Sequence, residues 1–318
     1  MTSETKPEPI RFSVDLLFSE PLHFDLDEII AAVNEDFPSC QIKDSGINPT
    51  KSMKTDDVVL GIIQPVEPQD GASIHLIGAG FPDESFRNAN LTEELWRSGG
   101  FGQQEVARHQ SYLSFSVDAV DDSLASRFRA ARLLNVVTAV FAKLPITLAI
   151  YNKWTGHFVR PTQWVEAAET AVKGEWPLTS WISYRGAWNL APGLNEYAVG
   201  YTVGLSQFLP YEIHMESAPI KPTDVLQMLF AACWMPLQGG SVYEDGNTVG
   251  VEEGVQYRIR ERHTADGKPA GIFVLLHPDS PVDEEATFGP RPGIPTPVED
   301  PYIRRPKKGF MQGLLGRN

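Results

Sequence analysis

Tyr112 to Val117 sets Tyr112, Ser114 and Ser116 against Leu113, Phe115 and Val117, the period-two pattern of a strand with one face inward. The longest helical run of the chain follows at once. It spans Leu124 to Leu144, with Asp121, Asp122 and Ser123 supplying a start signal and Pro145 the stop. Ile146 to Tyr151 then reads as another strand. Strand, long helix and strand in direct succession require a crossover, right-handed if the two strands pair in parallel. Collagen, coiled coil and solenoid arrays are excluded, because the chain shows no triplet, heptad or longer repeat.

The remaining pattern extends this theme. Arg11 to Ser19 carries Phe12, Val14, Leu16 and Phe18 in alternation, and Asp25 then precedes Leu26, Ile29, Ile30 and Val33, an N-cap before a helical stripe. Val58–Ile63 and Ser73–Ile77 read as strands and complete a first β-α-β-β unit. Short helices are expected near Glu93–Trp96 and Gln103–His109, and a longer one over Trp164–Val172. Trp181–Trp188 and Glu196–Gly204 suggest strands. Thr223–Met235 suggests an amphipathic helix capped by Thr223 or Asp224. Glu244–Asn247 is a turn signal between Ser241–Tyr243 and Thr248–Val251, and Asp266-Gly267 is another between Val255–Arg262 and Ile272–His277.

The expected fold class is α+β, with mixed or antiparallel sheets, packed helices and two strand–helix–strand units. The expected order is a flexible arm (1–9), an N-terminal α+β subdomain (10–104) and a C-terminal one (105–278). A disordered linker (279–306) with seven prolines and a basic amphipathic tail (307–318) follow.

Charge is unevenly spread. The net charge of the 318 residues is -14, yet residues 301–318 hold Arg304, Arg305, Lys307, Lys308 and Arg317 and no acid. The rest of the chain keeps 22 bases against 41 acids, or -19. Such a body repels nucleic-acid backbone and anionic lipid and suits a basic protein partner. Two distant cysteines, Cys40 and Cys233, exclude a disulfide framework and a cysteine-based zinc site. The start has no apolar signal region, and the longest apolar stretch, Leu133–Tyr151, is interrupted by Asn135, Lys143 and Pro145, so a cytoplasmic protein without stable membrane insertion is expected.

Chemical signatures fail on inspection. Ile77-Gly78-Ala79-Gly80 lacks the third glycine of a dinucleotide fingerprint, and Gly99-Gly100-Phe101-Gly102 lacks the lysine of a phosphate loop. Asp245–Gly250 imitates a calcium loop but has Gln256 where a bidentate glutamate belongs. Glu212, His214 and Glu216 would share one strand face, an arrangement able to hold metal or run acid–base chemistry, against the simpler reading of an exposed face. The groups Asp25/Asp27/Glu28 and Asp118/Asp121/Asp122 sit at helix starts, where carboxylates cap N–H groups. No catalytic residue, metal site or cofactor is assigned. Trp154, Trp164, Trp176, Trp181 and Trp188 either fill a core or line a ligand groove, to which His109, His157 or His214 would add a titratable group.

Several strings together resemble a known family: Val106–Val117, Ile146–Tyr151, Gly200–Leu205 with Glu212-Ile213, the helix from Pro222, and Asp245–Gly250. In that order, over roughly residues 10–278, the chain is similar to the bacterial domain-of-unknown-function family 4261. The resemblance implies a bacterial α+β protein and carries no activity or catalytic residue to transfer.

The expected function is a non-enzymatic protein-interaction or adaptor protein. Its tail would dock to a protein partner through Lys307, Lys308, Phe310, Met311, Leu314 and Leu315, whose apolar members line one side of a short helix. A transient membrane contact through the same apolar residues would be marginal. An immunity or secretion-system accessory role is a narrower version. A small-ligand binder or enzyme with its site near Trp154–Trp188 is the alternative.

Overall fold

The computed structural model describes residues 10–46, 52–54, 59–66, 74–79, 86, 103–239, 242–252 and 255–288. The chain is α+β and divides into two units. The first comprises residues 1–185 and 202–212, the second residues 186–201 and 213–318.

The first unit is organised around β1 (Arg11–Phe18), a largely buried strand of a seven-stranded sheet. β7 (Ser111–Asp118) pairs with one edge of β1 and β8 (Thr147–Asn152) with the other, both antiparallel. The strands before and after the long helix α3 (Leu124–Ala142) therefore do not pair with each other. They flank β1, and α3 packs on all three. Beyond β7 lie β6 (Ile74–Ala79), β5 (Val59–Pro65) and β3 (Ile42–Asp44), and beyond β8 lies β9 (His157–Val159). β2 (His23–Asp25) and β4 (Ser52–Lys54) form a separate antiparallel pair. A boundary at residue 105 would cut this sheet, because β6 and β7 pair across it. The local pattern on each side is complete, but the pairing is non-local.

Helix starts follow the expected chemistry in part. Asp25 caps α1 (Leu26–Asp36), accepting from Asp27 N at 2.8 Å. Ser123 caps α3, accepting from Ser126 N at 3.1 Å. α3 is buried along much of its circumference, from Ala130 to Ala142. Its Thr138 receives the indole N–H of the fully buried Trp164 at 2.7 Å. Trp164 lies on α4 (Pro161–Val172), which packs along α3. α2 (Gln103–Ala107) and a short helix α5 (Leu178–Trp181) complete the unit. α5 occupies the start of the stretch expected to be a strand from Trp181. Extended structure begins only at Ser183, after Trp181 has turned inward.

The second unit is built on a six-stranded sheet of order β10-β11-β12-β15-β14-β13. Its strands are β10 (Ser183–Trp188), β11 (Ala198–Val203), β12 (Glu212–Ala218), β13 (Thr248–Glu252), β14 (Val255–His263) and β15 (Pro269–Leu276). β14 and β15 form an antiparallel hairpin across Asp266-Gly267, as the turn signal predicts. Ser241–Tyr243 was expected to pair with Thr248–Val251. Instead β13 pairs with β14, and Tyr243 donates its hydroxyl to the Ala232 carbonyl at 2.8 Å. That carbonyl belongs to α6 (Pro222–Leu237). The N-cap of α6 is Lys221 rather than Thr223 or Asp224, because Pro222 takes the first helical position, where its missing N–H costs nothing. Cys40 and Cys233 are buried and form no disulfide. Among the described residues no helix is long and apolar enough to cross a membrane.

Candidate functional site

The strand β14 alternates Tyr257 and Ile259, both buried, with Arg258, Arg260 and Arg262 on the opposite face. Three arginines on one face of a strand need anions there. Arg262 pairs with Glu216 of β12. Arg260 is 1% exposed and donates from Nε to Asp245 Oδ1 at 2.9 Å and from Nη1 to Glu284 Oε1 at 2.7 Å. Its guanidinium also lies 5.5 Å from the Phe288 ring centroid. Burial works against its charge, but the hydrogen bonds and charges of Glu284 and Asp245 outweigh it and raise the pKa further. Arg258 pairs with the other oxygen of Glu284. One carboxylate thus bridges two arginines.

Glu284 opens the last described helix, α7 (Glu284–Phe288), and this corrects the expected end of the folded body near Pro278. Residues 279–288 are fastened to β14 rather than forming the start of a linker. Two features hid the fastening: Pro281 and the acids Asp279, Asp283, Glu284 and Glu285 read as solvated linker. The charge of Glu284 is instead taken up by Arg258 and Arg260, distant in sequence.

Between β13, β14 and this C-terminal strap lies a cleft of about 320 Å³. Thr248, Gln256, Arg258, His277, Ser280 and Glu284 contribute its polar lining, with Leu276, Pro278 and Val282 beside them. Asp279 N donates to His277 Nδ1 at 3.1 Å, which puts the proton of the neutral ring on Nε2. The His277 ring meets Tyr257 edge-on at 5.4 Å.

The carboxylate–histidine–carboxylate row on β12 does not act as a row. Glu212 turns to the loop before it, accepting from Gly204 N at 2.9 Å, Leu205 N at 3.2 Å and Ser206 N at 3.0 Å. It also accepts the hydroxyls of Thr202 and Ser206, both at 2.7 Å. Glu216 is taken by Arg262, and His214 packs against Tyr201 at 5.6 Å. Of the acids expected at helix starts, Asp118 instead ends strand β7 and pairs across the sheet with Arg11 of β1 at 2.7 Å, while Asp121 accepts from Ser123, whose hydrogen bonds hold its carboxyl below the usual range. Among the described residues no group of three or more His, Cys, Asp or Glu side chains could hold a metal ion.

The tryptophans separate into two kinds. Trp176 and Trp181 pack with Phe128 and Phe208 at centroid distances of 4.6–6.0 Å, and Trp181 gives its indole N–H to Asn135. The cavity left beside Trp164 and Trp181 is only about 10 Å³, roughly one water. Trp154 and Trp188 are 43% and 45% exposed. His109 is buried and donates from Nδ1 to the Val106 carbonyl at 2.7 Å. His157 is buried too, its Nδ1 hydrogen-bonded with the Thr155 hydroxyl and its Nε2 without a partner among the described residues. Burial, with the nearby Arg185 charge, lowers its pKa to about 4. The tail residues Lys307, Lys308, Phe310, Met311, Leu314 and Leu315 lie outside the described residues, as do the arm, residues 289–306 and the helix expected near Glu93–Trp96.

Sequence reasoning passed over two polar groupings. On β1, Asp15 is only 3% exposed and faces Ser114 of β7, with Lys153 bonded to both at 2.8 and 2.7 Å. The signal was an aspartate inside the apolar string Val14-Asp15-Leu16-Leu17. The other grouping is the arginine ladder, announced by basic residues at every second position of a strand.

Residues 201–275 match the model of a domain of unknown function, DUF4261. The match runs from the end of β11 through the Glu212 loop, α6 and the β14–β15 hairpin, and stops short of the C-terminal strap. Neither a curated protein nor a solved structure matches the chain.

Proposed function

We propose that this chain, which belongs to the DUF4261 family through residues 201–275, is a non-enzymatic protein-interaction or adaptor protein of a bacterial cytoplasm, with residues 307–318 as its docking peptide. The observation that carries the reading is the division of charge. Residues 301–318 are +5 with no acid, and the rest of the chain is -19. Four apolar residues, Phe310, Met311, Leu314 and Leu315, stand within that basic frame at spacings that align on one helical side.

The arginine-held helix α7 supports the reading mechanically. Its last residue is Phe288, so residues 289–306, with six prolines, separate a fixed point from the docking peptide. A segment of that composition in the polyproline II form spans about 55 Å. The peptide would search a large volume while its anchor stays on the body. An immunity or secretion-accessory role is a special case with the same geometry.

Affinity co-purification from the native cell, followed by mass spectrometry, tests this reading. Full-length protein is compared with a chain ending at Pro306. The expected result is one stoichiometric partner that is absent from the shortened chain. A partner retained by both would move the interface to the body, and no partner in either would remove the reading.

A further inference from the structure

The cleft between β13, β14 and the C-terminal strap has the size and the donor set of a ligand site. Its volume of about 320 Å³ lies at the small end of the range for small-molecule pockets. Arg258 spends Nη1 on Glu284, and its Nε and Nη2 have no partner among the described residues. That leaves one edge of the guanidinium, with two parallel N–H groups, for a second anion. The side chains of Thr248 and Gln256 line the same cleft. The proton on His277 Nε2, fixed by the bond from Asp279 N to Nδ1, adds a further donor.

We infer that this cleft binds a small organic carboxylate, held bidentate by the Nε–Nη2 edge of Arg258 and hydrogen-bonded by Thr248, Gln256 and His277. The planar guanidinium edge matches two carboxylate oxygens in spacing and charge. Glu284 on the same cleft offsets one positive charge. A singly charged ligand group is therefore preferred over a phosphate dianion, which would meet Glu284 with two charges. Leu276, Pro278 and Val282 supply apolar contact for a short carbon skeleton. This site is independent of the tail and of the adaptor reading.

The test is an NMR titration of the full-length protein with propionate, matched against sodium chloride and inorganic phosphate. The expected result is saturable shifts at Thr248, Gln256–Arg258 and His277–Glu284, produced by propionate and not by chloride. Arg258→Gln should weaken that binding about tenfold or more, the worth of a charge-assisted pair. Because Arg258 also touches Glu284, Thr248→Val serves as a second variant that leaves this pair intact, and it should weaken binding severalfold. Absence of saturable shifts up to high millimolar propionate would overturn the inference. So would phosphate binding as tightly as propionate, or unchanged propionate affinity in a folded Arg258→Gln protein.

Discussion

Arg260, 1% exposed on strand β14, donates from Nη1 to Glu284 Oε1 at 2.7 Å, and so holds the first residue of the last described helix. The pair joins residues 24 apart in sequence and is completed by Asp245 on the guanidinium Nε. Removing Glu284 strips Arg260 of one of its two carboxylates and Arg258 of its own, and the loss of these charge-assisted bonds costs about 3 kcal/mol. Glu284→Ala should lower stability by about that amount and free the strap. Limited proteolysis of the variant should cut between Pro278 and Phe288, where the parent chain resists. Equal protection of that segment in both proteins would show that the arginines do not fasten it.

Gly204 adopts φ +104°, a conformation that residues with a Cβ rarely enter. A Cβ there would collide with the Thr155 methyl and lie 3.0 Å from the Trp181 carbonyl oxygen. Gly204→Ala should therefore cost about 3 kcal/mol, measured by urea denaturation. Glu212, at the start of β12, holds the same turn by accepting the N–H groups of Gly204, Leu205 and Ser206. Glu212→Gln keeps the shape but loses the charge-assisted bonds, and should cost about 2 kcal/mol.

His157 makes stability depend on pH. Its folded pKa of about 4 lies below the ordinary 6.5 because burial, and then the Arg185 charge, disfavour the imidazolium. Below pH 6.5 the unfolded chain takes up a proton that the folded chain refuses, so stability falls with pH from 6.5 to about 4 and levels off beneath that. A displacement of this size corresponds to about 3 kcal/mol. Carboxylates titrate in the same range, so the check is a difference. Parent and His157→Gln proteins are unfolded at pH 7.5 and pH 4.5, and the parent should lose more stability between them by a margin of that order. Parallel losses would remove His157 as the cause.

What was legible in the sequence was mostly local. The strand signalled by Phe12, Val14, Leu16 and Phe18, the Asp25 and Ser123 helix starts, and the Asp266-Gly267 hairpin all depend on neighbours within a few residues, and each element forms; the alternation expected of one inward face is not kept, because Asp15 and Leu17 are buried as well. Long-range pairing was not legible. Nothing in the crossover pattern says that β1 inserts between β7 and β8, because strand order is set by which apolar faces meet in the assembled sheet. The polar groups follow the same division. Glu212 and Glu216 were visible as a spaced pair, but their partners, a backbone turn and Arg262, are chosen by topology. Residues 279–288 read as linker because the arginines that bind them arrive from another strand.

The most direct test of the docking account is competition by the tail itself. A partner captured on the full-length protein is challenged with a synthetic peptide of residues 307–318, and with the same peptide carrying Leu314→Asp and Leu315→Asp. The account predicts that the native peptide releases the partner in a saturable manner and the doubly substituted peptide does not, because a charge on the apolar side opposes burial in a groove. A partner that stays bound at saturating native peptide, and binds equally to a chain ending at Pro306, would contradict it.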